Sequence, residues 1–440
     1  MLAPRTKKIL DLALPIMGGM VSQNAMNLID TGMVGSQGKH ALAAVGMSSF
    51  AAFVSSAFLM GLSSGVQAMA ARRKGEGLDD EMAVPLNGGL LMALGLGIPL
   101  SILLFVLAPQ FYPYLNDDPQ VIAEGIPYLR ARLCAVTAVG MNFSFRGYFN
   151  GVNLSRLYLR SLLTMHVCNL VLNYTLIFGK FGMPALGATG AGIGSAIATW
   201  VGTITYVVMA VSHARQAGFL RGLPDRKTLT TMLDISVPSG VRQVFFAGGM
   251  TALFWIVGRV GTTALAAANI LINLMLVAIL PSIGLGMAAA SLVGQALGRG
   301  EAEDAKRWGW DVMKLAVVVL LVLGTPMVLA PGVLLDIFTD DAATIATGRL
   351  PLRVVGATIF IDGVGMVLQS AMLGAGDSRR IMVVGIGLQW LIFLPAAYLV
   401  GPVWGYGLLG IWIAQVAHRF LQAGVFAGLW RAGAWARVRV

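Results

Sequence analysis

Leu12-Ala13-Leu14-Pro15 returns as Ile235-Ser236-Val237-Pro238. Gly38-Lys39-His40-Ala41-Leu42-Ala43-Ala44 returns as Gly261-Thr262-Thr263-Ala264-Leu265-Ala266-Ala267, and Gly61-Leu62 as Gly284-Leu285. Each second copy lies 223 positions after the first (238 − 15), about half of the 440 residues. A constant offset without gaps marks a doubled unit. Many membrane transporters are built this way, from two like halves around a shared path.

Composition places the doubled unit in a bilayer. The hydrophobic fraction is 57%, charged residues are 12% and mean hydropathy is +0.77, more apolar surface than a soluble fold can hide. The net charge of +11 is not a nucleic-acid footprint, because the basic residues sit in short loops between apolar runs. Cys134 and Cys168 both lie in apolar segments and read as buried thiols, not a disulfide framework. The apolar run after Arg5, Lys7 and Lys8 is too long for a signal peptide, so it is read as the first transmembrane helix.

A crossing helix needs about 20 apolar residues. The expectation is an all-α integral membrane fold of twelve spans, near 9–36, 43–70, 84–108, 121–149, 158–178, 189–212, 232–258, 266–293, 311–332, 343–373, 380–400 and 406–430. Loop charge alternates: one side carries clusters such as Arg72-Arg73-Lys74, and the other carries Asn116-Asp117-Asp118 and Asp340-Asp341. Both termini are therefore expected in the cytoplasm, which requires an even number of spans. The expected halves are 1–212 and 232–440, each a six-helix lobe of the same orientation, joined by a cytoplasmic linker at 213–231. The lobes are expected to be pseudo-symmetric bundles.

Ionisable groups at membrane depth are costly unless they face a cavity or a partner, so each is a functional candidate. Gln23, Asn27 and Asp30 recur at i, i+4 and i+7, one face of span 1. An acid among amides suits a proton or a cation such as Na⁺. Span 5 carries Asn169 and Asn173, with Tyr174 beside them. These amides can hold a carboxylate or a cation, or simply bond one helix to the next. Asp362 lies mid-span in span 10 with Gln369 two turns on. Phe245, Phe246, Phe254 and Trp255 offer faces for flat organic cations, or plain packing. His166 reads more as a packing group than a relay, and Arg146 and Arg242 as residues reaching for the cytoplasmic interface. No GxxxxGK[ST] loop and no catalytic constellation occurs, which points to a secondary transporter with no catalytic residue, not to an ATPase or other enzyme.

Taken together, Leu12-Ala-Leu-Pro15, Leu28-Ile-Asp-Thr-Gly-Met-Val-Gly35, Asn169-Leu-Val-Leu-Asn-Tyr174, Phe178-Gly-Lys-Phe-Gly-Met-Pro184, Gly294-Gln295, Gly298-Arg-Gly300 and Leu373-Gly-Ala-Gly-Asp377 resemble the multidrug and toxic compound extrusion (MATE) family, in its bacterial NorM-like branch. The resemblance spans nearly the whole chain. It implies efflux of organic cations and other drugs driven by inward H⁺ or Na⁺, with no cofactor, by a protein of the bacterial inner membrane expected as a monomer. It also implies that Asp30, Asn169 and Asn173 belong to a cavity of the N-lobe and that Asp362 serves cation coupling. One departure stands out: the stretch Pro238-Ser-Gly-Val-Arg-Gln-Val-Phe-Phe246 is followed by Ala247, where NorM-like members carry Glu. A C-lobe cation site built on that Glu is incomplete here, which moves weight to Asp30. The alternative is a lipid-linked oligosaccharide flippase of the related superfamily. Such a protein should line its cavity with Arg and Lys to hold pyrophosphate, whereas the deep ionisable groups here are mainly acids.

Overall fold

The computed structural model describes residues 4–438 and residue 440, and every regular element among them is helical. Helices satisfy their own backbone hydrogen bonds, which the hydrocarbon core demands. In chain order these are α1 (Pro4–Gly35), α2 (Lys39–Glu76), α3 (Val84–Phe111), α4 (Pro119–Leu133), α5 (Val136–Gly151), α6 (Ser155–Phe178) and α7 (Gly187–Ala214). After a connection at 215–225 follow α8 (Arg226–Gly258), α9 (Thr262–Gly298), α10 (Ala302–Leu329), the short α11 (Pro331–Asp336), α12 (Ala342–Thr358) and α13 (Phe360–Gly374). α14 (Ser378–Gly387) and α15 (Leu394–Tyr398) are linked by a π-helical stretch at Leu388–Phe393 and continued by another at Leu399–Val403 before α16 (Gly407–Ala432).

The spacing of 223 is written into the helix ends. α1 and α8 stop at Gly35 and Gly258, and α2 and α9 start at Lys39 and Thr262 (262 − 39). α5 and α13 stop at Gly151 and Gly374, and α6 and α14 start at Ser155 and Ser378 (378 − 155). The residue before α2 is Gly38 with φ +119°, and its mate before α9 is Gly261 with φ +148°. Both need a backbone conformation that side chains oppose, which is why glycine stands at both places.

Among the described residues, eight helical stretches are long and apolar enough to cross a membrane: α2, α3, α6, α7, α8, α9, α10 and Ser378–Val403. α12 and α13, bent by 53° at their junction, make a ninth when joined. α1 is long enough but carries Gln23, Asn24, Asn27 and Asp30 in its middle, and α4 and α5 are split at Cys134-Ala135. Cys134 is exposed and Cys168 half-exposed, both free. The reading of both as buried thiols is corrected: an apolar segment in a bilayer can turn its side chains to lipid as well as to protein.

The chain divides into two compact units, Gly18–Gly240, and Met1–Met17 with Val241–Val440. Both divisions fall inside helices, α1 and α8, and they too lie 223 apart (241 − 18). In the Gly18–Gly240 unit, α2 lies so close to the first half of α8 that a Cβ at Gly61 would overlap the Ser236 carbonyl and stand 2.5 Å from the Gly240 nitrogen. In the other unit, a Cβ at the repeat mate Gly284 would stand 2.5 Å from Met17 Cγ of α1. Close approach at small residues is how helices associate in lipid, and here the same approach is made twice with the partners exchanged. The second unit adds Arg5 of α1, which bonds Asp304 and Asp311 of α10 at 2.6 and 2.7 Å and lies 3.7 Å over the Trp308 ring.

Candidate functional site

The polar residues of α1 and α6 meet inside the Gly18–Gly240 unit. Gln23, Asn27 and Asp30 share one face of α1; His166, Asn169 and Asn173, at i, i+3 and i+7, share one face of α6. α7 supports α6 from behind. Gly190 and Gly194 let its backbone press so close that a Cβ at 190 would stand 2.5 Å from the Leu176 carbonyl and one at 194 would overlap Asn173 Oδ1. That approach brings Ser195 to Asn169.

The bonds converge on one carboxylate. Asn173 Nδ2 donates to Asp30 Oδ1 at 2.8 Å. With its amide nitrogen toward Asp30, Asn169 donates to both carboxylate oxygens at 3.2 and 3.1 Å, while its carbonyl oxygen accepts from Ser195 Oγ at 3.0 Å. This orientation avoids setting two oxygens against each other. Above this knot the line continues: Gln23 Nε2 donates to Asn27 Oδ1 at 3.2 Å, and Gln23 Oε1 lies 3.2 Å from His166 Nε2. Gln23 and Asn27 are exposed and Asp30 is half-buried, whereas His166, Asn169, Asn173 and Ser195 are buried. The result is a polar seam with one open edge and one buried wall.

The two acids at membrane depth have opposite surroundings. Asp30 receives neutral amide donors and forms no salt bridge among the described residues. Arg132 of α4 acts on this carboxylate through space but forms no ion pair with it, which leaves it open to a proton or a small cation. Asp362, in the first turn of α13, is 5% exposed and lies 3.3 Å from Arg419 Nε of α16. Its charge is met by the protein itself.

The remaining candidates are placed as follows. Tyr174 is exposed and packs its ring on Phe178, with centroids 5.6 Å apart. One residue along a helix is a turn of about 100°, so it leaves the face of Asn173. Gln369 is buried on α13, about 10 Å along the axis from Asp362. Phe246 and Trp255 are both exposed. Trp255 stacks on Tyr398 at 5.9 Å and carries Arg259 over its ring at 4.6 Å, so its face already holds a cation. Arg146 lies over Phe143 at 4.3 Å and donates to the buried Ser63 Oγ at 3.3 Å, tied to α2. Sequence reasoning missed Ser195 and Arg419. A serine in an Ala/Gly-rich helix carries no signal, but the adjacent His418-Arg419 inside an apolar run was one.

A model of one transporter family, MatE, matches residues 15–175 and again 238–399. The two matches begin 223 positions apart (238 − 15) and together cover most of the chain. The chain belongs to the MatE family. Curated relatives agree along its length. A probable multidrug resistance protein NorM of Pasteurella multocida is 27% identical over 95% of this chain and 92% of its own. One of Burkholderia pseudomallei is 30% identical over 91% and 87%. Among solved structures, an outward-facing MATE family multidrug resistance transporter of the MOP superfamily superposes with a TM-score of 0.90 at 22% identity, covering 99% of this chain and 98% of that one. A MOP superfamily transporter from Pyrococcus furiosus gives 0.89 at 21%, covering 98% and 96%. As a MatE protein with these apolar helices, the chain is a multi-pass membrane protein. The twofold match gives the internal repeat its meaning: each half is one copy of the MatE unit.

Proposed function

We propose that this MatE protein is a secondary antiporter that exports organic cations and other drugs in exchange for inward H⁺ or Na⁺. The observation that carries the reading is the Asp30 carboxylate, held by Asn169 and Asn173 and in no salt bridge among the described residues. An ion loaded on Asp30 from outside cancels the charge that holds a cationic drug, and the drug leaves. In the inward-facing state Asp30 gives up the ion and its charge draws the next drug. The gradient is sufficient: each tenfold ion ratio supplies about 1.4 kcal/mol, and each charge about 2.3 kcal/mol per 100 mV. The names of the NorM relatives support multidrug cargo. The reading includes twelve spans in two six-helix lobes, 1–212 and 232–440 about a linker at 213–231, with both termini in the cytoplasm and the protein monomeric in the bacterial inner membrane.

The test is efflux of a fluorescent organic cation from proteoliposomes under an imposed pH gradient or an imposed Na⁺ gradient. Wild type should respond to one of them, and Asp30→Asn should abolish that response. No flux under either gradient with folded protein overturns the antiport reading and brings the lipid-linked oligosaccharide flippase forward.

A further inference from the structure

Asp362 follows a break in its span. α12 ends at Thr358, α13 begins at Phe360, and the two are bent by 53°. Broken helices at membrane depth survive where the freed polar groups find other partners or line a cavity. A cavity of about 10 Å³ adjoins this break, lined among others by Thr358, Asp362, Trp412, Gln415 and Arg419. Four side-chain atoms of its wall are buried without a hydrogen-bond partner: Asp362 Oδ1, Gln415 Oε1, Trp412 Nε1 and Arg419 Nε. Asp362, Gln415 and Trp412 are 5%, 8% and 0% exposed. Carboxylate, amide and hydroxyl oxygens around a helix break are the ligands a small hard cation takes.

A cation is already in place. Arg419 Nε is 3.3 Å from Asp362 Oδ1, yet neither atom has an aligned hydrogen bond. A guanidinium chosen for structure docks on a carboxylate through two parallel N–H···O bonds. Here the charge is met and the fork geometry is not. The α8 half in the same unit, residues 241–258, adds no acid. Asp362 and Arg419 sum to zero, so a free cation entering beside them would leave an uncompensated positive charge in a low-dielectric site.

We propose that Arg419 is a tethered counter-cation that fills, by charge, the site which Asp362, Gln415 and Thr358 would otherwise offer to a monovalent cation. The Val241–Val440 unit then binds no exchangeable ion. If the antiport reading above holds, on which this one consequence rests, coupling falls to Asp30 alone and one cation exchanges per cycle.

The test is equilibrium binding of ²²Na⁺ to the purified full chain in lipid nanodiscs. It needs no flux, so its result is independent of the antiport assay. Wild type is compared with Arg419→Gln and with Asp362→Asn/Arg419→Gln. Wild type and the double variant, both neutral at this site, should bind equally. Arg419→Gln should bind one more Na⁺ per chain, and adding Asp362→Asn should remove it. If the double variant binds one Na⁺ fewer than wild type, Asp362 already holds an exchangeable ion beside Arg419 and the proposal fails. It fails equally if folded Arg419→Gln gains nothing. Should Arg419→Gln not fold, the comparison of wild type with the charge-balanced double variant decides alone.

Discussion

Asn173 Oδ1 packs over Gly194 where any side chain at 194 would stand, while its Nδ2 reaches Asp30 Oδ1 at 2.8 Å. The absence of one methyl group on α7 therefore sets the position of the carboxylate's closest donor on α6. Gly194→Ala is expected to push the amide off Asp30. Overpacking of this kind costs about 1–3 kcal/mol, and 1.4 kcal/mol at the carboxylate is about tenfold. Ion-driven efflux in proteoliposomes should fall about tenfold, with the fold retained by gel filtration. Gly46→Ala, which meets nothing within 4 Å, is the control and should leave efflux unchanged.

Gly61 and Gly284 are mates in the repeat yet should not be equally sensitive. A Cβ at Gly61 would strike backbone, the Ser236 carbonyl and the Gly240 nitrogen. A Cβ at Gly284 would strike Met17 Cγ, part of a flexible side chain, with the Met17 nitrogen farther off at 3.3 Å. Backbone cannot yield without moving α8, whereas a methionine can turn. Gly61→Ala should cost about 3 kcal/mol or more and Gly284→Ala about 1 kcal/mol. Thermal melts of the two purified variants check the order; equal losses would mean that the two approaches are equally rigid.

The scaffold was legible because doubling a unit doubles its signals. Pro15 and Pro238, Gly38 and Gly261, and Gly61 and Gly284 stood 223 apart in sequence and hold equivalent places in the helices. The seam was legible because i, i+4 and i+7 spacing selects one helix face, and Asp30, Asn169 and Asn173 do meet. The breaks were not. The run 121–149 splits at Cys134-Ala135 and the run 343–373 bends at Ile359, and neither place carries glycine or proline. Tertiary contact is needed there: Gly324 of α10 presses so closely on Gly356, one turn before the bend, that a Cβ would overlap its carbonyl. Arg419 escaped because a lone arginine at depth declares a partner without naming it.

Asp118 and Asp341, which read as acidic loop residues, are the N-caps of α4 and α12 and lie 223 apart (341 − 118). Asp118 Oδ1 accepts from the Gln120 nitrogen at 2.8 Å, and Asp341 Oδ2 from the Thr344 nitrogen at 2.9 Å. These bonds favour the ionised form. The backbone bond from Gln120 holds Asp118 below the usual carboxylate range, and the Thr344 hydroxyl, then its backbone nitrogen, does the same for Asp341. A lowered folded-state pKa gives stability that is present above the unfolded value, about 4, and is lost as pH falls through the folded value. Asp341→Ala should therefore melt below wild type at pH 7 and 5, with a gap that narrows below about pH 4. Asp341→Asn, an equally good cap that does not titrate, should stay near wild type at pH 7 and 5 and melt above it below about pH 4. A gap independent of pH would show that the charge of Asp341 contributes nothing.

Arg5 precedes the first apolar run and reads as a topogenic charge, but in the structure it is also a clamp. Its Nη1 and Nε reach Asp304 and Asp311, about two turns apart on α10, and its guanidinium plane covers the Trp308 ring between them. Asp304 is itself held by Arg299 at 3.3 Å and by Trp308 Nε1 at 2.8 Å, so the start of α1 is fixed to α10 through a network and not a lone pair. The side chain is 37% exposed, and solvent screening limits each ion pair to about 0.2–1 kcal/mol, with about 0.5–1 kcal/mol more from the ring. Arg5→Ala is expected to lower stability by about 1–3 kcal/mol in total. Arg5→Lys keeps the charge but cannot span two carboxylates or lie flat on an indole, so it should recover less than half. The wild-type advantage over Arg5→Ala should shrink at high salt, where exposed pairs are screened, and level off at the part owed to stacking on Trp308. Melting curves of the three proteins at low and high salt measure all of this, and a lysine variant as stable as wild type would reduce the clamp to simple charge.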